Sequence, residues 1–191
     1  MNPDVGQIHR EWFERDGVAS LRQLGFAPGQ RVIDFGSGPG RFTAPLSRIV
    51  GPGGGCVIAI DRSADGMERL RQRVRAHGRE SAVEAVLADD GDGFSAMAVG
   101  PVDAVLAFDV LQHVKDREGF FGAVWEALRP GGVFYVYPAA VPHPGRIDMD
   151  AVRAALARHA FREAGRRRIR LPHAGNMVTD DVYLFARCEG A

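Results

Sequence analysis

The sequence predicts an α/β fold in which helices cover both faces of a seven-stranded, mostly parallel sheet, giving a three-layer sandwich. Short apolar runs alternate with amphipathic helical patterns, and no repeat or linker divides the 191 residues. The runs are apolar on both faces, which is typical of buried parallel strands. A chain of this length also suits a single core. The first expectation is therefore one α/β domain.

The central part of the chain is expected to hold five strands and the helices between them. Apolar side chains recur at helical spacing over residues 67–77 and 121–128, and a helix is also expected over residues 41–50. Pro130 is expected to end the helix before it, and residues 131–132 (GG) to turn the chain into the next strand. The strands are expected at residues 31–35, 56–60, 82–88, 102–108 and 133–137.

The N-terminal part adds a helix before the first strand. Val5, Ile8 and Trp12 form one helical stripe. Residues 1–28 are interpreted as a lid helix, to which His9 and Trp12 would contribute. The alternative is that the stripe simply packs into the core, which is the commoner use of such a pattern.

The C-terminal part, residues 138–191, is expected to hold one helix and two strands beside the core of residues 30–137. Met149, Val152 and Leu156 mark the helix. Only a short connection separates the two strands, so they are expected to pair as an antiparallel hairpin and to add one reversed strand near the sheet edge. The two strands are expected around residues 166–171 and 181–188.

Charge and composition exclude several classes of partner. Lys+Arg and Asp+Glu are both 24, and this balance argues against nucleic acid or an acidic membrane as the main partner. The one dense basic run, residues 165–170, is interpreted as protection of an exposed edge strand; RNA binding is the alternative. The chain shows no bilayer-spanning stretch and no signal-peptide features, and Cys56 and Cys188 lack a partner motif. These features predict a cytoplasmic protein with reduced thiols.

The most informative segment is residues 32–40 (VIDFGSGPG), a buried strand that runs into three alternating glycines before a helix. Gly36, Gly38 and Gly40 can adopt backbone angles barred to other residues and leave room for a ligand. In open parallel sheets, nucleotide-like ligands bind in this crevice. The dinucleotide pattern needs a further glycine where this chain has Arg41, and the lysine of a phosphate-binding P-loop is absent.

Acidic residues follow the next two strands. Asp61 ends the second strand, where a carboxylate can accept both hydroxyls of a ribose. The alternative is that Asp61 helps to cap the next helix together with Ser63. Asp89 and Asp90 follow the third strand and are candidates for accepting the exocyclic amine of an adenine; a solvated turn is the alternative.

These segments, in this order, resemble the class I S-adenosylmethionine-dependent methyltransferases. Residues 32–40 resemble the first motif, residues 102–109 (VDAVLAFD) the fourth-strand motif, and residues 128–133 (LRPGGV) the turn before the fifth strand. The resemblance covers about residues 30–137. Residues 109–114 (DVLQHV) make the chain most similar to the small ubiquinone/menaquinone-biosynthesis type. The resemblance implies a Rossmann-like fold and S-adenosylmethionine as cofactor.

The resemblance also implies roles for individual residues. Asp34 is expected to engage the amino group of the methionine part, and Phe108 and Asp109 to form the floor near the methyl group. His113 is the candidate base, because imidazole can exchange a proton near neutral pH; capping or packing beside the cofactor is the alternative. The implied cofactor-binding residues are Asp34, Gly36, Ser37, Gly38, Gly40, Asp61, Arg62, Asp89, Asp90 and Phe108, and the implied catalytic residues are His113 and Asp109.

Candidate roles at the predicted site remain for two other histidines and, a second time, for Asp109. His143 and His173 lie in Pro-flanked segments at the same end of the sheet, and each is a candidate for touching the acceptor. Asp109 is a candidate metal ligand, but it lacks a convincing set of partner ligands, and no metal is expected.

The expected function is methyl transfer from S-adenosylmethionine to a small organic acceptor. The chain departs from the Asn/Asp-Pro-Pro-aromatic signature of methyltransferases that act on nucleobase or glutamine amino groups. Two alternatives are kept: a module that binds the cofactor without transfer, and a nicotinamide oxidoreductase, which Arg41 disfavours. The acceptor pocket would be completed by the N-terminal helix or by a second subunit, so a homodimer is a possible partner arrangement.

Overall fold

Seven strands form one mixed sheet in the computed structural model, which describes residues 11–88, 93–138 and 147–188. Across the described sheet the order is third, second, first, fourth, fifth, seventh, sixth, and the seventh strand alone runs opposite to the other six. The predicted fold class is confirmed. The strands are β1 Arg31–Phe35, β2 Cys56–Asp61, β3 Val83–Leu87, β4 Val102–Phe108, β5 Leu128–Tyr137, β6 Phe161–His173 and β7 Asn176–Arg187.

Helices cover both faces of this sheet. An N-terminal π-helical turn, Trp12–Asp16, leads directly into the first α-helix, and short 3-10 turns lie at Glu80–Ala82, Ser95–Met97 and Leu111–His113. Three of the α-helices begin at a side-chain N-cap, since the chain places Ser or Asp at the position whose oxygen can accept a free backbone N–H. The α-helices are α1 Gly17–Arg22, α2 Thr43–Val50, α3 Ala64–Ala76, α4 Arg117–Ala127 and α5 Met149–Arg158.

The core has two main layers, one on each face of the sheet. Neighbouring residues of β1 show the arrangement, because Val32 packs with the N-terminal helix and α2 whereas Ile33 packs with α4 and α5. Burying both faces of the central strands explains why they are apolar without alternation. The sheet edge at which β1, β2 and β4 end is thereby held rigidly by helices on either side.

The start of β5 differs from the prediction. Leu128, expected in the preceding helix, is the first residue of β5, and the helix ends at Ala127. Pro130 and the two glycines after it therefore lie inside the strand and do not form the turn that ends the helix. The strand tolerates them because the pairing with β4 shifts register between Val102 and Ala104, and Gly131 takes a positive φ of 72° there.

The N-terminal aromatic residues belong to the core. Trp12 is fully buried, its indole N–H donates to the carbonyl of Arg41 at 2.8 Å, and its ring meets Phe42 edge-on. For Trp12 the structure therefore shows the core alternative and not a mobile lid. Val5, Ile8 and His9 lie outside the described residues, and the lid stays a prediction for that segment.

The C-terminal hairpin is longer than predicted, and it places the basic run at the sheet edge. β6 is the outermost strand, and two of its arginines lie 3.5 Å from carboxylates, Arg166 from Asp181 and Arg170 from Asp16. That the run protects this edge from pairing stays a prediction. Within the described ranges, none of the helices is both long and apolar enough to span a bilayer.

Candidate functional site

The loop after β1 takes the left-handed backbone that its glycines allow. Gly36, Gly38 and Gly40 have φ values of 74°, 50° and 77°. A Cβ on Gly36 would lie 2.4 Å from Val110, and one on Gly40 would lie 3.0 Å from Leu70. A Cβ on Gly38 would have nothing within 4 Å. The first and third glycines therefore permit close packing, and Gly38 alone of the three borders open space.

Hydrogen bonds fix the loop to its surroundings. The backbone N–H groups of Gly36 and Ser37 both donate to the carbonyl of Ile60 on β2, at 2.9 and 3.1 Å. The Ser37 hydroxyl is buried and lies 3.8 Å from the sulfur of Met67, so its side chain serves the packing of the loop. The guanidinium of Arg73 donates to the carbonyl of Pro39. The loop is therefore preformed, and a cofactor contact by Ser37 stays a prediction.

Asp34 lies beneath the loop as a buried carboxyl group. Its side chain accepts a hydrogen bond of 2.6 Å from the Thr43 hydroxyl at the start of α2, and the residue is only 2 % exposed. Burial raises the pKa of Asp34 to about 6. The Thr43 hydrogen bond lowers this pKa, and the nearby Asp61 carboxylate raises it. The structure therefore gives Asp34 a role in joining β1 to α2, and its contact with an amino group stays a prediction.

Asp61 connects the glycine loop to the end of β2. One carboxylate oxygen accepts from the backbone N–H of Gly38 at 2.7 Å, and the other accepts from that of Ser63 at 2.8 Å. Ser63 is itself the N-cap of α3, accepting from Gly66 at 3.0 Å. The capping alternative is therefore correct for Ser63, and Asp61 supports the cap by accepting the hydrogen bond from the Ser63 N–H. A carboxylate has about four acceptor positions, so Asp61 keeps capacity for ligand hydroxyls.

A cavity of about 250 Å³ opens at this edge of the sheet. One side is formed by the ends of β1 and β2, including the predicted site residues Gly36, Asp61 and Arg62. The other side follows β4 and includes Asp109 and His113. Apolar rings and chains complete the wall, namely Phe35, Ile60, Phe94 and Val110. The cavity therefore combines an apolar slot with a few polar groups, as small-molecule sites do.

Several predicted site residues do not line this cavity or cannot be placed. The described ones that do not line it are Asp34, Ser37, Gly38, Gly40, Phe108 and His173. Phe108, which was expected to form the floor near the methyl group, is instead buried in the core, edge-on to the rings of Phe42 and Tyr137 at 4.9 and 6.1 Å. Asp89 and Asp90 lie outside the described residues, as does His143.

Asp109 is the most constrained residue of the site. It has a positive φ of 56°, which is uncommon for a residue with a side chain, and its N–H donates to the carbonyl of Tyr137 at 2.9 Å. One carboxylate oxygen accepts from the Gln112 amide at 2.6 Å. The other lies 3.1 Å from Nδ1 of His173, which is off the line for a good hydrogen bond. Asp109 and His113 both line the cavity, and His173 is the histidine whose ring lies beside the Asp109 carboxylate. Their predicted roles in the reaction stay predictions.

Tyr137 completes this cluster and was missed by sequence reasoning. It ends β5 and is 1 % exposed, and its hydroxyl faces the carboxylate of Asp180 on β7. Burial raises the pKa of the phenol, and the carboxylates of Asp180 and Asp109 raise it further. Its position at the end of a parallel strand was the available signal, but its apolar strand made it look like core.

Among the residues that the structure describes, no group of three or more His, Cys, Asp or Glu side chains is arranged to hold a metal ion.

A family model described as a methyltransferase domain matches residues 33–134, which is more than half of the chain. The chain belongs to this methyltransferase family. The matched region contains the glycine loop, Asp61 and Asp109, so the family assignment rests on the same segments that build the cavity. The resemblance to class I S-adenosylmethionine-dependent methyltransferases is confirmed.

Individual relatives and a solved structure agree with this family. The chain is 30% identical over 126 residues to a ubiquinone biosynthesis O-methyltransferase of Caulobacter vibrioides, covering 65% of this chain and 45% of that protein. It is 29% identical over 177 residues to a ubiquinone/menaquinone biosynthesis C-methyltransferase of Vibrio campbellii, covering 93% and 61%. The chain thus spans about half the length of the curated relatives it matches. A SAM-dependent methyltransferase from Aquifex aeolicus has the same fold, with a TM-score of 0.70, 18% identity and 95% of each chain covered.

Proposed function

We propose that this methyltransferase-family chain transfers the methyl group of S-adenosylmethionine to a small organic acceptor. The observation that carries the proposal is the cavity that joins Gly36 and Asp61 on one side to Asp109 on the other. It lies where the strand order reverses between β1 and β4, the crevice in which open parallel sheets bind nucleotide-like ligands.

The residues present fit this cofactor. The position above Gly38 is open, so the backbone can approach a ligand there. Asp61 presents a carboxylate with unused acceptor capacity for ribose hydroxyls, and Phe35 and Phe94 provide apolar walls beside it for a flat base. Arg62 lines the same end of the cavity. When bound, the cofactor supplies a methyl group activated by a positively charged sulfur.

The chain's own residues would contribute mainly by aligning the cofactor with the acceptor, and less by acid catalysis. The glycine loop is held by Ile60 and Asp61, so binding does not have to order it. Charge disperses as a methyl group leaves a sulfonium, and a dry, preorganised site favours that change. Phe35, Ile60 and Val110 keep the wall of the cavity apolar beside Asp109.

Isothermal titration calorimetry with S-adenosylmethionine tests the proposal. The wild-type chain is expected to bind, and Asp61→Asn is expected to bind about 100-fold more weakly, because charge-assisted hydrogen bonds to hydroxyls contribute about 1.5–3 kcal/mol each. Asp65→Asn is the matched control, since Asp65 lies on the exposed face of α3 and pairs with Arg69. Equal binding by Asp61→Asn and wild type would contradict the cofactor placement.

Formation of S-adenosylhomocysteine with a pool of small metabolites tests the transfer step. Turnover that the Asp61→Asn variant loses supports the proposed activity. Cofactor binding with no turnover in any pool would leave a binding module without transferase activity. Protection from thermal unfolding by a nicotinamide cofactor, and not by S-adenosylmethionine, would overturn the proposal.

A further inference from the structure

The sheet ends at a basic edge that the cofactor site does not use. β6 is the outermost strand, and among the described residues no strand pairs with its outer side. None of the residues of β6 lines the cavity. Acidic and basic residues balance over the whole chain, yet this strand carries exposed arginines at Arg162, Arg166, Arg167, Arg168 and Arg170. The edge is therefore a local accumulation of positive charge.

Nearby carboxylates neutralise only part of this charge. Arg166 and Arg170 each have a carboxylate oxygen at 3.5 Å, but both side chains stay more than half exposed. Glu163, the one acidic residue of β6, lies 2.7 Å from Arg153 on α5. The other arginines of the strand have no ion pair within the described ranges. A surface of this kind is complementary to an acidic partner.

The backbone of the same strand is open to a further strand. β6 has a bulge between Glu163 and Gly165 and then pairs regularly with β7 from Arg166 onwards. In an antiparallel ladder every second residue bonds to its partner, so the residues between direct their N–H and C=O groups outward. The stretch from Arg166 to Leu171 contains no proline, and each of its outward N–H groups can therefore donate to an added strand.

Side chains along this stretch alternate between two kinds. Ile169 and Leu171 are buried in the core layer that contains the N-terminal helix. Arg166, Arg168 and Arg170 alternate with them and therefore share the other face of the strand. An added strand would continue both faces of the sheet. It would match this edge best with acidic residues at every second position and apolar residues between them.

A second copy of this edge does not have that pattern. Two copies of β6, paired antiparallel about a two-fold axis at Arg168, would place Arg168 opposite itself and Arg166 opposite Arg170. An axis at Arg167 would place Arg166 opposite Arg168. Like charges directly opposite each other destabilise a strand pair. The arginines that disfavour a second copy therefore favour a strand of opposite charge.

Nucleic acid and membrane fit this surface less well than a polypeptide does. Proteins that bind single-stranded nucleic acid stack its bases on aromatic side chains, and membrane-surface segments insert apolar ones. Among the described residues no aromatic side chain is exposed. The large apolar side chain that is exposed there, Leu87, lies on β3 at the opposite edge of the sheet. The open backbone groups of β6, by contrast, are what another strand pairs with.

We propose that the outer edge of β6 binds an extended acidic segment of a partner protein and adds it to the sheet as a further strand. Main-chain hydrogen bonds join the two strands. Ion pairs to Arg166, Arg168 and Arg170 select acidic residues at alternate positions of the segment. This interaction is independent of the proposed methyl transfer, because the arginines lie outside the cavity.

Fluorescence anisotropy of labelled peptides with the whole chain tests the proposal. The probe has about eight residues in which glutamate and valine alternate. It is expected to bind about tenfold more tightly than a peptide of the same composition with its glutamates in one block, and more weakly as salt is added. Hydrogen exchange then shows whether a strand has been added. Amides at every second residue from Arg166 to Leu171 are expected to exchange about tenfold more slowly when the alternating peptide is bound.

Charge reversal tests the arginines themselves. The double variant Arg166→Glu/Arg168→Glu is expected to bind the alternating glutamate peptide about 100-fold more weakly and to gain binding of an alternating lysine–valine peptide. Arg71→Glu/Arg75→Glu, on the exposed face of α3, is the matched control and should bind both peptides as wild type does. Arg168→Gln is the milder variant and should weaken binding about tenfold. Thermal unfolding checks that all three variants are folded.

The other results would contradict the proposal. No binding of the alternating peptide, equal binding of the block peptide, or binding that leaves the β6 amides unprotected would overturn strand addition. An RNA oligonucleotide or phosphatidylserine vesicles that bind more tightly than the peptide, and lose that binding in Arg166→Glu/Arg168→Glu, would overturn the partner class. Unchanged peptide binding in that double variant would overturn the role of the arginines.

Discussion

The two sides of the cleft use the same backbone conformation in different ways. On the cofactor side, three glycines supply the positive φ values, and the loop is held mostly by backbone hydrogen bonds. On the other side, Asp109 and Ala174 take positive φ values despite their side chains, and the groups that meet there come from β4, β5 and β6. The first side is unstrained and local in sequence; the second is strained and assembled from distant residues.

The comparison indicates where each half of the site is specified. A cofactor loop can be specified by one short segment because its ligand contacts the backbone. An acceptor site needs particular side chains at particular places, and a parallel sheet brings them together only at the ends of its strands. The glycine loop and Asp61 lie within the region that the family model matches, residues 33–134, whereas Tyr137 and His173 lie outside it.

Gly36→Ala is expected to have the largest effect on folding. Its Cβ would lie 2.4 Å from Val110, and its φ of 74° would be strained, so the free energy of unfolding should fall by about 4 kcal/mol. Gly38→Ala is the comparison variant: it has open space and should lose only about 1 kcal/mol, but it should weaken cofactor binding. Urea denaturation measures the stability of both variants, and calorimetry measures their cofactor binding. If the two variants lose similar amounts of stability, the loop is packed differently from the structure described here.

Asp34→Asn is expected to stabilise the chain in a pH-dependent way. Burial raises the pKa of Asp34 from 3.8 to about 6, so the folded state binds this proton more tightly than the unfolded state. The stability that this proton provides is fully present below about pH 4 and is lost as pH rises through about 6. At about pH 8 the variant should gain up to about 3 kcal/mol, at about 1.4 kcal/mol for each pKa unit.

Denaturation curves of wild type and Asp34→Asn at several pH values measure this difference. The gain should shrink towards zero near pH 4, because both side chains are then neutral. Asp65→Asn on the exposed face of α3 controls for the loss of a surface carboxylate. A gain that does not change with pH would show that the Asp34 carboxyl is not the group responsible.

Tyr137→Phe tests whether the buried hydroxyl of Tyr137 is paired. The hydroxyl faces the Asp180 carboxylate, so its removal is expected to lower the free energy of unfolding by about 1 kcal/mol. Tyr135→Phe is the matched comparison, since its hydroxyl donates to the carbonyl of Leu24 at 3.1 Å and its loss should destabilise by a similar amount. Thermal unfolding of both variants measures this; a stability that is unchanged or raised in Tyr137→Phe alone would show that its hydroxyl is unpaired.

Ala174→Gly should have the smallest effect. It relieves a φ of 48° in the turn beside His173, so it should raise the free energy of unfolding by about 1 kcal/mol or less. Ala154→Gly, at an exposed position in the middle of α5, is the contrasting change and should destabilise by about 1 kcal/mol. If Ala174→Gly also destabilises, the hairpin is not strained at this point.

Sequence reasoning predicted the sheet and the left-handed glycine loop well because their signals are local. The bounds of β1 and β4 are those expected, and Gly36, Gly38 and Gly40 all have positive φ values. The hydrogen bond from the Gly38 N–H to Asp61 was not predicted, because it joins two segments that are distant in sequence. The predicted start of β5 was wrong, because a bulge lets Pro130 and the two glycines after it lie within the strand. The contact between His173 and Asp109 was not predicted, because it depends on the strand order that brings the end of β6 to the end of β4.

The most direct test locates the methyl group of the bound cofactor relative to the two sides of the cleft. Nuclear Overhauser contacts from the isotope-labelled methyl group of bound S-adenosylmethionine show which side chains surround it. We expect contacts to the methyl protons of Val110 or the ring protons of His113, which line the cavity beside Asp109, and their persistence in the Asp65→Asn control. A methyl group in contact only with Phe94 or Arg62, at the far end of the cavity, would contradict the account.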